Sequence, residues 1–432
     1  MKNIDLNNIK IVHFIGLGGI GVSAIARMMS LEGKMVSGSD QSASMVTEEL
    51  EKLGIAVFIG HNSSHVPENA DLVVYSIAVP PSNPEFAKAE ELGISMLSYP
   101  EVLGLISQTK KTVAVSGTHG KTTTTAMLAK IFIETGLDPT VVVGSFLKDY
   151  NSNFVAGRGE WLVAEACEYR RSFLNLSPNI LVITNIEADH LDYYKDLADI
   201  QEAFAELVSK VPADGFIICD PNNENVRPVI EKTEAKIIDY TKISTADFDL
   251  KFPGDHIKKD AQMAKAVAEA IGVDSNQTVF ALNSFSGTWR RFEYKGLVNN
   301  EVEVYDDYAH HPDEVKVTIL AMKEKYPEKK IRAIFQPHLY SRTKSLLTEF
   351  IDSLSLADEI ILVPIYAARE MDDGSVSSLD IVRGLKDKNK EVYYFDNFEA
   401  VAGHLKGNLT PDEVILVMGA GDITNLSNDL VF

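Results

Sequence analysis

The residues most clearly suited to chemistry lie in one short segment, VAVSGTHGKTTTT, at residues 113–125. A Gly-Lys-Thr between an apolar strand and a helix is typical of a phosphate-binding loop, because main-chain amides and the lysine bind polyphosphate while the threonine hydroxyl binds Mg²⁺. The loop is two residues shorter than the common pattern G-x-x-x-x-G-K-[ST]. The sequence therefore predicts a shortened ATP site, formed by Gly117, Thr118, His119, Gly120, Lys121, Thr122 and Thr123.

A second glycine loop, GLGGIG, follows the strand-like run IKIVHFIG near the N-terminus. Gly16, Gly18 and Gly21 fit the pattern G-x-G-x-x-G, in which a diphosphate binds at the start of the following helix. Asp40 ends the next strand-like run, about where an acidic residue binds the ribose in such sites. The pattern indicates a nucleoside diphosphate without distinguishing NAD from another nucleotide, and a glycine turn that binds nothing is the alternative.

Two strand ends supply candidate metal ligands beside the shortened loop. Glu165 ends the run WLVAEA, and His190 follows a third apolar run together with Asp189 and Asn185. Mg²⁺ takes oxygen ligands, and an acidic residue at a strand end beside a phosphate loop is similar to the metal ligand of many ATPases. A lone histidine is more often a packing residue than a ligand. His190 is a candidate metal ligand only because the polar residues Asp189 and Asn185 accompany it.

The last third of the chain contains two groups of cationic and aromatic residues. Arg290 and Arg291 are adjacent in GTWRRFE, where they either stabilise charge on a transferring phosphoryl group or form ordinary salt bridges. Arg342 has the planar, forked donor geometry that holds a small carboxylate. The turns DDYAHHP and FQPHLYSRT together contribute five candidate binding residues, with simple packing as the alternative: Tyr308, His310, His311, His338 and Arg342.

These residues lie between alternating strand-like and helical segments, an order typical of α/β domains with parallel sheets. We expect three such domains, covering residues 1–106, 107–294 and 295–432. Ligands of open parallel sheets bind outside the carboxyl ends of the strands. Glycines and polar residues are expected at those ends, namely Gly16, Asp40, Gly117, Glu165, Asn185, Asp306, Tyr308, His338, Glu370 and Asp422.

Composition narrows the function class. The chain has 432 residues and a formal net charge of −21, which argues against nucleic acid as the main partner because phosphate backbones are bound by many basic residues. Only Cys167 and Cys219 occur, which favours a reducing compartment without disulfides. No signal peptide and no run long enough to span a bilayer is evident, so we expect a cytoplasmic protein without membrane insertion.

With these motifs in place, the chain resembles the Mur ligase family over nearly its whole length. The resemblance rests on GLGGIGVSAIA, GSD, SNPE, SGTHGKTTTT, TNIEADHLDYY, GTWRRFE, DDYAHHPDE, FQPHLYSRT and IYAARE. It implies a three-domain α/β protein whose N-terminal Rossmann-like domain binds a UDP-sugar, whose central domain binds ATP, and whose C-terminal domain binds an amino acid. Among the family members, the two histidine motifs resemble those of the one that adds L-alanine first.

The activity implied by the resemblance is ATP-dependent joining of L-alanine to the lactyl carboxylate of UDP-N-acetylmuramate through an acyl phosphate, in peptidoglycan precursor synthesis. Family roles then transfer by position. The implied metal ligands for Mg²⁺ are Thr122, Glu165 and His190, and the implied catalytic residues are Lys121, His190, Arg291 and His310. Arg290 and Arg291 join the ATP site. The implied UDP end comprises Gly16, Gly18, Gly19, Gly21, Ser39, Asp40 and His61, and the alanine pocket comprises Tyr308, His310, His338 and Arg342.

Some positions depart from the family pattern. Cys167 and Arg170 stand where relatives often carry Asp, which leaves Glu168 as the candidate for a further acidic ligand. Ile257 and Asp260 stand where asparagines are usual, so the sequence leaves the asparagine contact to adenine open. Three alternatives remain: a recycling ligase that adds a preformed peptide to the same UDP-sugar, an NAD-dependent dehydrogenase built on GLGGIG, and a nucleotide-binding protein without chemistry. The sequence does not indicate an oligomeric state.

Overall fold

The computed structural model describes residues 4–191, 193–368 and 370–431. By its internal contacts the chain divides into two compact units. The first unit runs to Asp249 and also includes Lys259–Ser286, whereas the second unit comprises Leu250–Lys258 and the chain from Gly287 onward. The first unit contains two sheets and the second contains one. The domain boundaries at residues 106 and 294 stay predictions.

The N-terminal sheet of the first unit is entirely parallel. Its strands are β1 (Ile11–Ile15), β2 (Met35–Asp40), β3 (Ala56–Ile59), β4 (Leu72–Tyr75) and β5 (Ser95–Ser98). Its helices are α1 (Ile20–Leu31), α2 (Met45–Lys52), α3 (Pro84–Glu91) and α4 (Tyr99–Ser107), with short 3-10 turns at Leu6–Asn8 and Ser63–His65. In the strand order β3-β2-β1-β4-β5, the chain adds β2 and β3 on one side of β1 and then β4 and β5 on the other side. An open α/β sheet forms its binding crevice at the point where the strand order reverses in this way.

The central sheet of the first unit has seven strands in the order β12-β11-β10-β6-β9-β7-β8. These are β6 (Lys111–Ser116), β7 (Thr140–Leu147), β8 (Ser152–Val155), β9 (Trp161–Glu165), β10 (Ile180–Ile183), β11 (Phe216–Cys219) and β12 (Lys236–Asp239). The helices are α5 (Lys121–Glu134), α6 (Leu197–Val208), α7 (Arg227–Ile230), α8 (Asp255–Ala270) and α9 (Ser275–Ser284), with 3-10 segments at Tyr169–Asn175 and Tyr240–Lys242. Of α8, the residues from Lys259 onward belong to the first unit and the residues up to Lys258 belong to the second. Because β6 lies between β10 and β9, the loop that follows it is next to the ends of both neighbouring strands.

The second unit is built on a six-stranded sheet in the order β13-β14-β18-β15-β16-β17. These strands are β13 (Glu293–Val298), β14 (Val302–Asp307), β15 (Lys330–Phe335), β16 (Glu359–Leu362), β17 (Glu391–Tyr394) and β18 (Glu413–Met418). The helices are α10 (Pro312–Lys325), α11 (Tyr340–Ser345), α12 (Leu347–Leu354), α13 (Ser378–Asp387), α14 (Phe398–Lys406) and α15 (Thr424–Leu430). Two hydrophobic clusters bury alternate residues of these strands, as expected for a sheet covered on both faces.

The structure differs from the expected parallel sheets at two edges, where β7–β8 and β13–β14 pair antiparallel. An antiparallel edge strand on an otherwise parallel sheet is a common arrangement, because a short hairpin suffices to add it. The strand predicted at DEIILVPIYAARE is also shorter, since Pro364 lacks the N–H that a continuing strand would need. Within the described part of the chain, no helix combines the length and apolar composition that a membrane crossing requires.

Candidate active site

The shortened phosphate loop connects β6 to α5 and depends on its two glycines. Gly117 and Gly120 have φ of +139° and +82°, a region that L side chains rarely adopt. A Cβ atom at Gly117 would lie 2.0 Å from the Thr184 hydroxyl oxygen, and one at Gly120 would lie 2.6 Å from a carboxylate oxygen of Asp260. The loop therefore passes close to its neighbours at both ends, and only glycine fits there.

Asn185 fixes the middle of this loop. Its main-chain oxygen accepts from the Thr118 amide at 3.1 Å and its side-chain oxygen accepts from the His119 amide at 2.9 Å. The first amides of α5, which begins at Lys121, have no partner one turn earlier because a helix N-terminus leaves them unpaired by geometry. These amides, together with the positive end of the helix dipole, suit an anionic phosphate group.

Lys121 lies over the loop and bonds to a buried acid. Its Nζ donates to the main-chain oxygens of Gly117 at 2.5 Å and Thr118 at 3.0 Å, and to Glu168 Oε1 at 3.0 Å. Burial alone would lower the pKa of Lys121, but the Glu168 carboxylate and the neighbouring acids raise it above the ordinary value. Lys121 is therefore a fixed positive charge at the loop.

The predicted metal ligands Thr122 and Glu165 are brought together. The Thr122 hydroxyl donates to Glu165 Oε1 at 3.2 Å, and the amide of Gly144 on β7 donates to the other carboxylate oxygen at 2.8 Å. A Cβ atom at Gly144 would lie 2.7 Å from both Glu165 oxygens, so this glycine allows the carboxylate to reach the loop. A hydroxyl beside a carboxylate at a strand end is a donor set that fits Mg²⁺.

The third predicted ligand, His190, lies beside Glu168. His190 Nε2 is 3.5 Å from Glu168 Oε1, and the ring packs on Tyr169 with centroids 4.8 Å apart. Glu168 is buried, and among the described residues its Oε2 atom has no hydrogen-bond partner. Burial raises the pKa of Glu168, but Lys121 and His190 outweigh that effect and leave the pKa below its ordinary value. An ionised, incompletely bonded oxygen at this place fits the further acidic ligand expected at Glu168.

The structure shows the surroundings of three residues that depart from the family pattern, namely Cys167, Ile257 and Asp260. Burial, followed by the Glu168 charge, raises the pKa of the Cys167 thiol to about 12, so the side chain is a neutral thiol rather than an anionic ligand. Asp260 on α8 is buried and accepts from the Thr124 hydroxyl at 3.1 Å, next to Gly120. Asp260 therefore supports the back of the phosphate loop. Ile257 is buried as well.

The first glycine loop is held by the end of β2. The amides of Gly16 and Leu17 both donate to the Ser39 main-chain oxygen at 2.9 Å, and the Gly18 amide donates to Asp40 Oδ2 at 2.8 Å. Gly19 precedes α1 as its N-terminal cap, with its amide donating to Gly16 at 3.2 Å. Asp40 thus fixes the loop itself, and the Ser39 side chain turns toward His61. The structure places all the predicted UDP residues around this loop and the ends of β2 and β3.

The adjacent arginines of the second unit have different surroundings. Arg290 is buried, with a positive φ of +56°, and donates to Asp306 at 3.4 Å, to the Gly421 oxygen at 3.1 Å and to the Gly419 oxygen. Arg291 is about one-third exposed, with its guanidinium 3.8 Å from Glu314. Because the Arg290 guanidinium is buried and bonded within the unit, Arg291 is the member of the pair that a ligand can reach.

The four residues assigned to the alanine pocket gather at the carboxyl ends of β14 and β15. The His310 ring centroid lies 5.2 Å from that of Tyr308 and 5.8 Å from that of His338. An Arg342 guanidinium nitrogen is 3.4 Å from His338 Nδ1. Two motifs far apart in sequence thus form one polar cluster, as the sequence predicts.

Sequence reasoning missed two neighbours of this cluster. Glu314 Oε2 lies 3.0 Å from His310 Nδ1, and the Tyr366 ring stacks on His338 at 5.8 Å and 18°. Glu314 lies four residues after His310, and that spacing was a usable signal. Tyr366 lies in the motif IYAARE, but nothing in that motif indicates its partner, because an isolated parallel bridge between two distant chain segments brings Tyr366 beside His338. His311 caps α10 and is largely buried, so it is part of the scaffold.

The α/β fold and the phosphate loop are those of a ligase of the Mur type, and the chain belongs to the Mur ligase family. Three family models match in succession: "Mur ligase family, catalytic domain" at residues 11–111, "Mur ligase middle domain" at 115–285 and "Mur ligase, glutamate ligase domain" at 290–421. The UDP-N-acetylmuramate–L-alanine ligase of Caldanaerobacter subterraneus subsp. tengcongensis is 42% identical, with 97% of each chain covered.

Solved structures agree with this assignment. The UDP-N-acetylmuramate–alanine ligase of Thermotoga maritima superposes with a TM-score of 0.83 at 29% identity, covering 98% of each chain. The murein peptide ligase of Psychrobacter arcticus superposes with a TM-score of 0.72 and the same coverage, but at 24% identity it shows the fold alone. The predicted three-domain α/β fold class is confirmed.

Proposed function

We propose that this chain is an ATP- and Mg²⁺-dependent ligase that joins L-alanine to the lactyl carboxylate of UDP-N-acetylmuramate. The observation that carries the proposal is a cluster in which Glu165, Glu168 and His190 lie beside Lys121 and Thr122 at the phosphate loop. The identity to named L-alanine ligases along the whole chain supports the choice of substrates.

The first step activates a carboxylate, which is otherwise a poor electrophile. A carboxylate oxygen of the lactyl group attacks the γ-phosphorus of ATP, and the bond between that phosphorus and the β-phosphate oxygen breaks. ADP departs, and the lactyl group is now an acyl phosphate. The loop amides and Lys121 hold the phosphates in line and offset charge on the transferring group. Bound Mg²⁺ would supply Lewis-acid charge neutralisation, and Thr122, Glu165, Glu168 and His190 would hold it.

The second step forms the amide. The free amine of alanine attacks the acyl carbon, the bond from that carbon to the phosphate oxygen breaks, and inorganic phosphate leaves with the second amine proton. Arg342 is proposed to hold the alanine carboxylate through its forked donors. His310 is proposed to accept the ammonium proton: its Nδ1 lies 3.1 Å from the Tyr308 main-chain oxygen, which can only accept, so Nδ1 carries hydrogen and Nε2 is basic.

A phosphate-release assay on the full chain tests the proposal. We expect turnover only when UDP-N-acetylmuramate, ATP, Mg²⁺ and L-alanine are all present, with a product mass that corresponds to one added alanine residue. Each component is omitted in turn as a control. Equal or faster turnover with a preformed peptide in place of alanine would instead assign the chain to peptide recycling, and phosphate release without any amine would contradict amide formation.

A further inference from the structure

A buried carboxylate, Glu85, connects the residues assigned to the UDP end. It lies in the first turn of α3 and is completely inaccessible to solvent. We call the group around it the Glu85 cluster. Its members come from β1, β2, the chain after β3 and α3, and they are His13, Ser37, Ser39, His61, His65 and Glu85.

Both oxygens of Glu85 accept hydrogen bonds, three from side chains of this cluster and one from the main-chain amide of Asn62. Oε2 accepts from the Ser39 hydroxyl at 2.8 Å and from His13 Nε2 at 2.9 Å. Oε1 accepts from His61 Nδ1 at 3.1 Å and from the Asn62 amide at 3.2 Å. A carboxylate that receives four donors in the interior is held in one orientation, and its partners are held with it.

The charge of Glu85 decides which hydrogens its partners carry. Burial raises the pKa of Glu85, but the hydrogen bonds from His13, Ser39 and His61 leave it below the ordinary value. An ionised carboxylate accepts and never donates, so His13 Nε2 and the Ser39 hydroxyl must supply hydrogens. The Ser37 hydroxyl, 2.9 Å from His13 Nδ1, then donates to that nitrogen.

The same reasoning fixes the tautomer of His61. Its Nδ1 faces Glu85 Oε1 and also the Ser39 hydroxyl oxygen, at 3.0 Å, whose own hydrogen points to Glu85. Nδ1 therefore carries the hydrogen of the neutral ring, and Nε2 presents a lone pair. No residue in the described part of the chain hydrogen-bonds Nε2, and the His61 side chain is partly exposed, with 15% of its surface accessible.

We propose that Glu85 is a positioning residue that makes the nucleotide site selective for uracil over cytosine by fixing His61 with Nε2 as a hydrogen-bond acceptor. Uracil carries a hydrogen on N3 and can donate to that lone pair. Cytosine has a lone pair on N3, so two acceptors would face each other there. The inference rests on the proposed function and takes His61 as part of its UDP end, as the resemblance to the family implies.

Calorimetry with UDP and with CDP on the full chain tests this assignment. We expect the native chain to bind UDP about ten-fold or more tightly than CDP, the factor that about 1.4 kcal/mol represents. In Glu85→Gln the amide offers only one acceptor oxygen and also a donor, so the His61 tautomer is no longer fixed. The UDP-over-CDP ratio should then fall toward one. Glu90→Gln, an exposed change on the same helix α3, is the matched control and should keep the native ratio.

His61→Ala provides a second route that leaves the buried carboxylate in place, so a Glu85 variant that fails to fold does not end the test. It should lower the same ratio. The inference is overturned if the native UDP-over-CDP affinity ratio is near one, or if the native ratio is unchanged in His61→Ala or in folded Glu85→Gln. In either case, ligase turnover with UDP-N-acetylmuramate would leave the proposed function intact. Absence of both UDP binding and turnover in the native chain overturns the two together.

Discussion

The ring of Tyr99, at the start of α4, lies directly against Gly21 of the first glycine loop. A Cβ atom on Gly21 would be 2.6 Å from the ring carbon Cε2 of Tyr99, closer than real Cβ contacts allow. Gly21 is therefore required by an aromatic neighbour from the far end of the same sheet. Burial is the main cause that raises the pKa of Tyr99, followed by the nearby Cys167 and Glu165, so the phenol stays neutral.

The Gly21–Tyr99 contact predicts that Gly21→Ala destabilises the first unit. We expect a loss of about 1–3 kcal/mol in the free energy of unfolding, which is typical of overpacking. Urea denaturation measures it. Gly19→Ala is the control for stability, because a Cβ atom there would meet its nearest neighbour at 3.4 Å. Adding Tyr99→Ala should recover part of the loss, and strictly additive losses in the double variant would contradict the contact.

Lys121→Ala should abolish turnover and also destabilise the chain, for two separate reasons. The phosphates lose their cation, and Glu168 becomes a buried charge without its main partner, at a cost of about 3–5 kcal/mol. Replacing Glu168 by Gln in the same chain should restore part of the stability but none of the activity. Phosphate release and thermal melting measure the two effects. The control is Lys111→Ala, an exposed lysine on β6, and near-native turnover in Lys121→Ala would remove Lys121 from the ATP site.

Much of this site could be predicted from the sequence because its signals are local. Glycines at fixed spacing between a strand and a helix identify a phosphate loop whatever the rest of the chain does. Strand ends could be placed from apolar runs, and Thr122 and Glu165 prove to be in hydrogen-bond contact as the alternation of elements suggests.

Other features depend on residues far apart in sequence, and no local pattern reveals them. The sequence Arg290-Arg291 does not indicate which of the two side chains is buried. Arg290 is the buried one because it bonds to Asp306 and to the main-chain oxygens of Gly419 and Gly421. SNPE looks like an ordinary helix start, with Asn83 capping and Pro84 in the first turn. Nothing in those four residues indicates that Glu85 accepts from His13, which lies 72 positions earlier.

Glu85 also predicts a pH dependence of stability. Its pKa in the folded chain is below the ordinary value of 4.5, so it adds stability above that pH and loses it as the pH falls through the folded pKa, because the unfolded chain takes up the proton first. Glutamine does not titrate, so Glu85→Gln should flatten the acid side of the stability curve. Urea denaturation between neutral pH and pH about 3 measures this. Glu90→Gln should parallel the native curve, and an unchanged slope in Glu85→Gln would contradict the lowered pKa.

Arg342→Ala should raise the KM for alanine about ten- to a hundred-fold, the range expected when a charged hydrogen bond is lost. The KM for ATP should change far less. Arg342→Lys should recover only part of the loss, because an ammonium cannot bind a carboxylate through two parallel bonds. Arg383→Ala removes an arginine that is 75% exposed and serves as the control. An unchanged KM for alanine in Arg342→Ala would remove Arg342 from the carboxylate role.

His310→Ala should lower kcat about 10²- to 10⁴-fold near neutral pH, since a positioned base contributes that much to a proton transfer. If the lost group is the base that deprotonates alanine, raising the pH should restore part of the rate, because more of the alanine is then already a free amine. A pH series at saturating substrates measures the recovery. His404→Ala, on α14 against Tyr393, is the control and should follow the native profile. A rate loss that is the same at every pH would make His310 a structural neighbour of the pocket rather than its base.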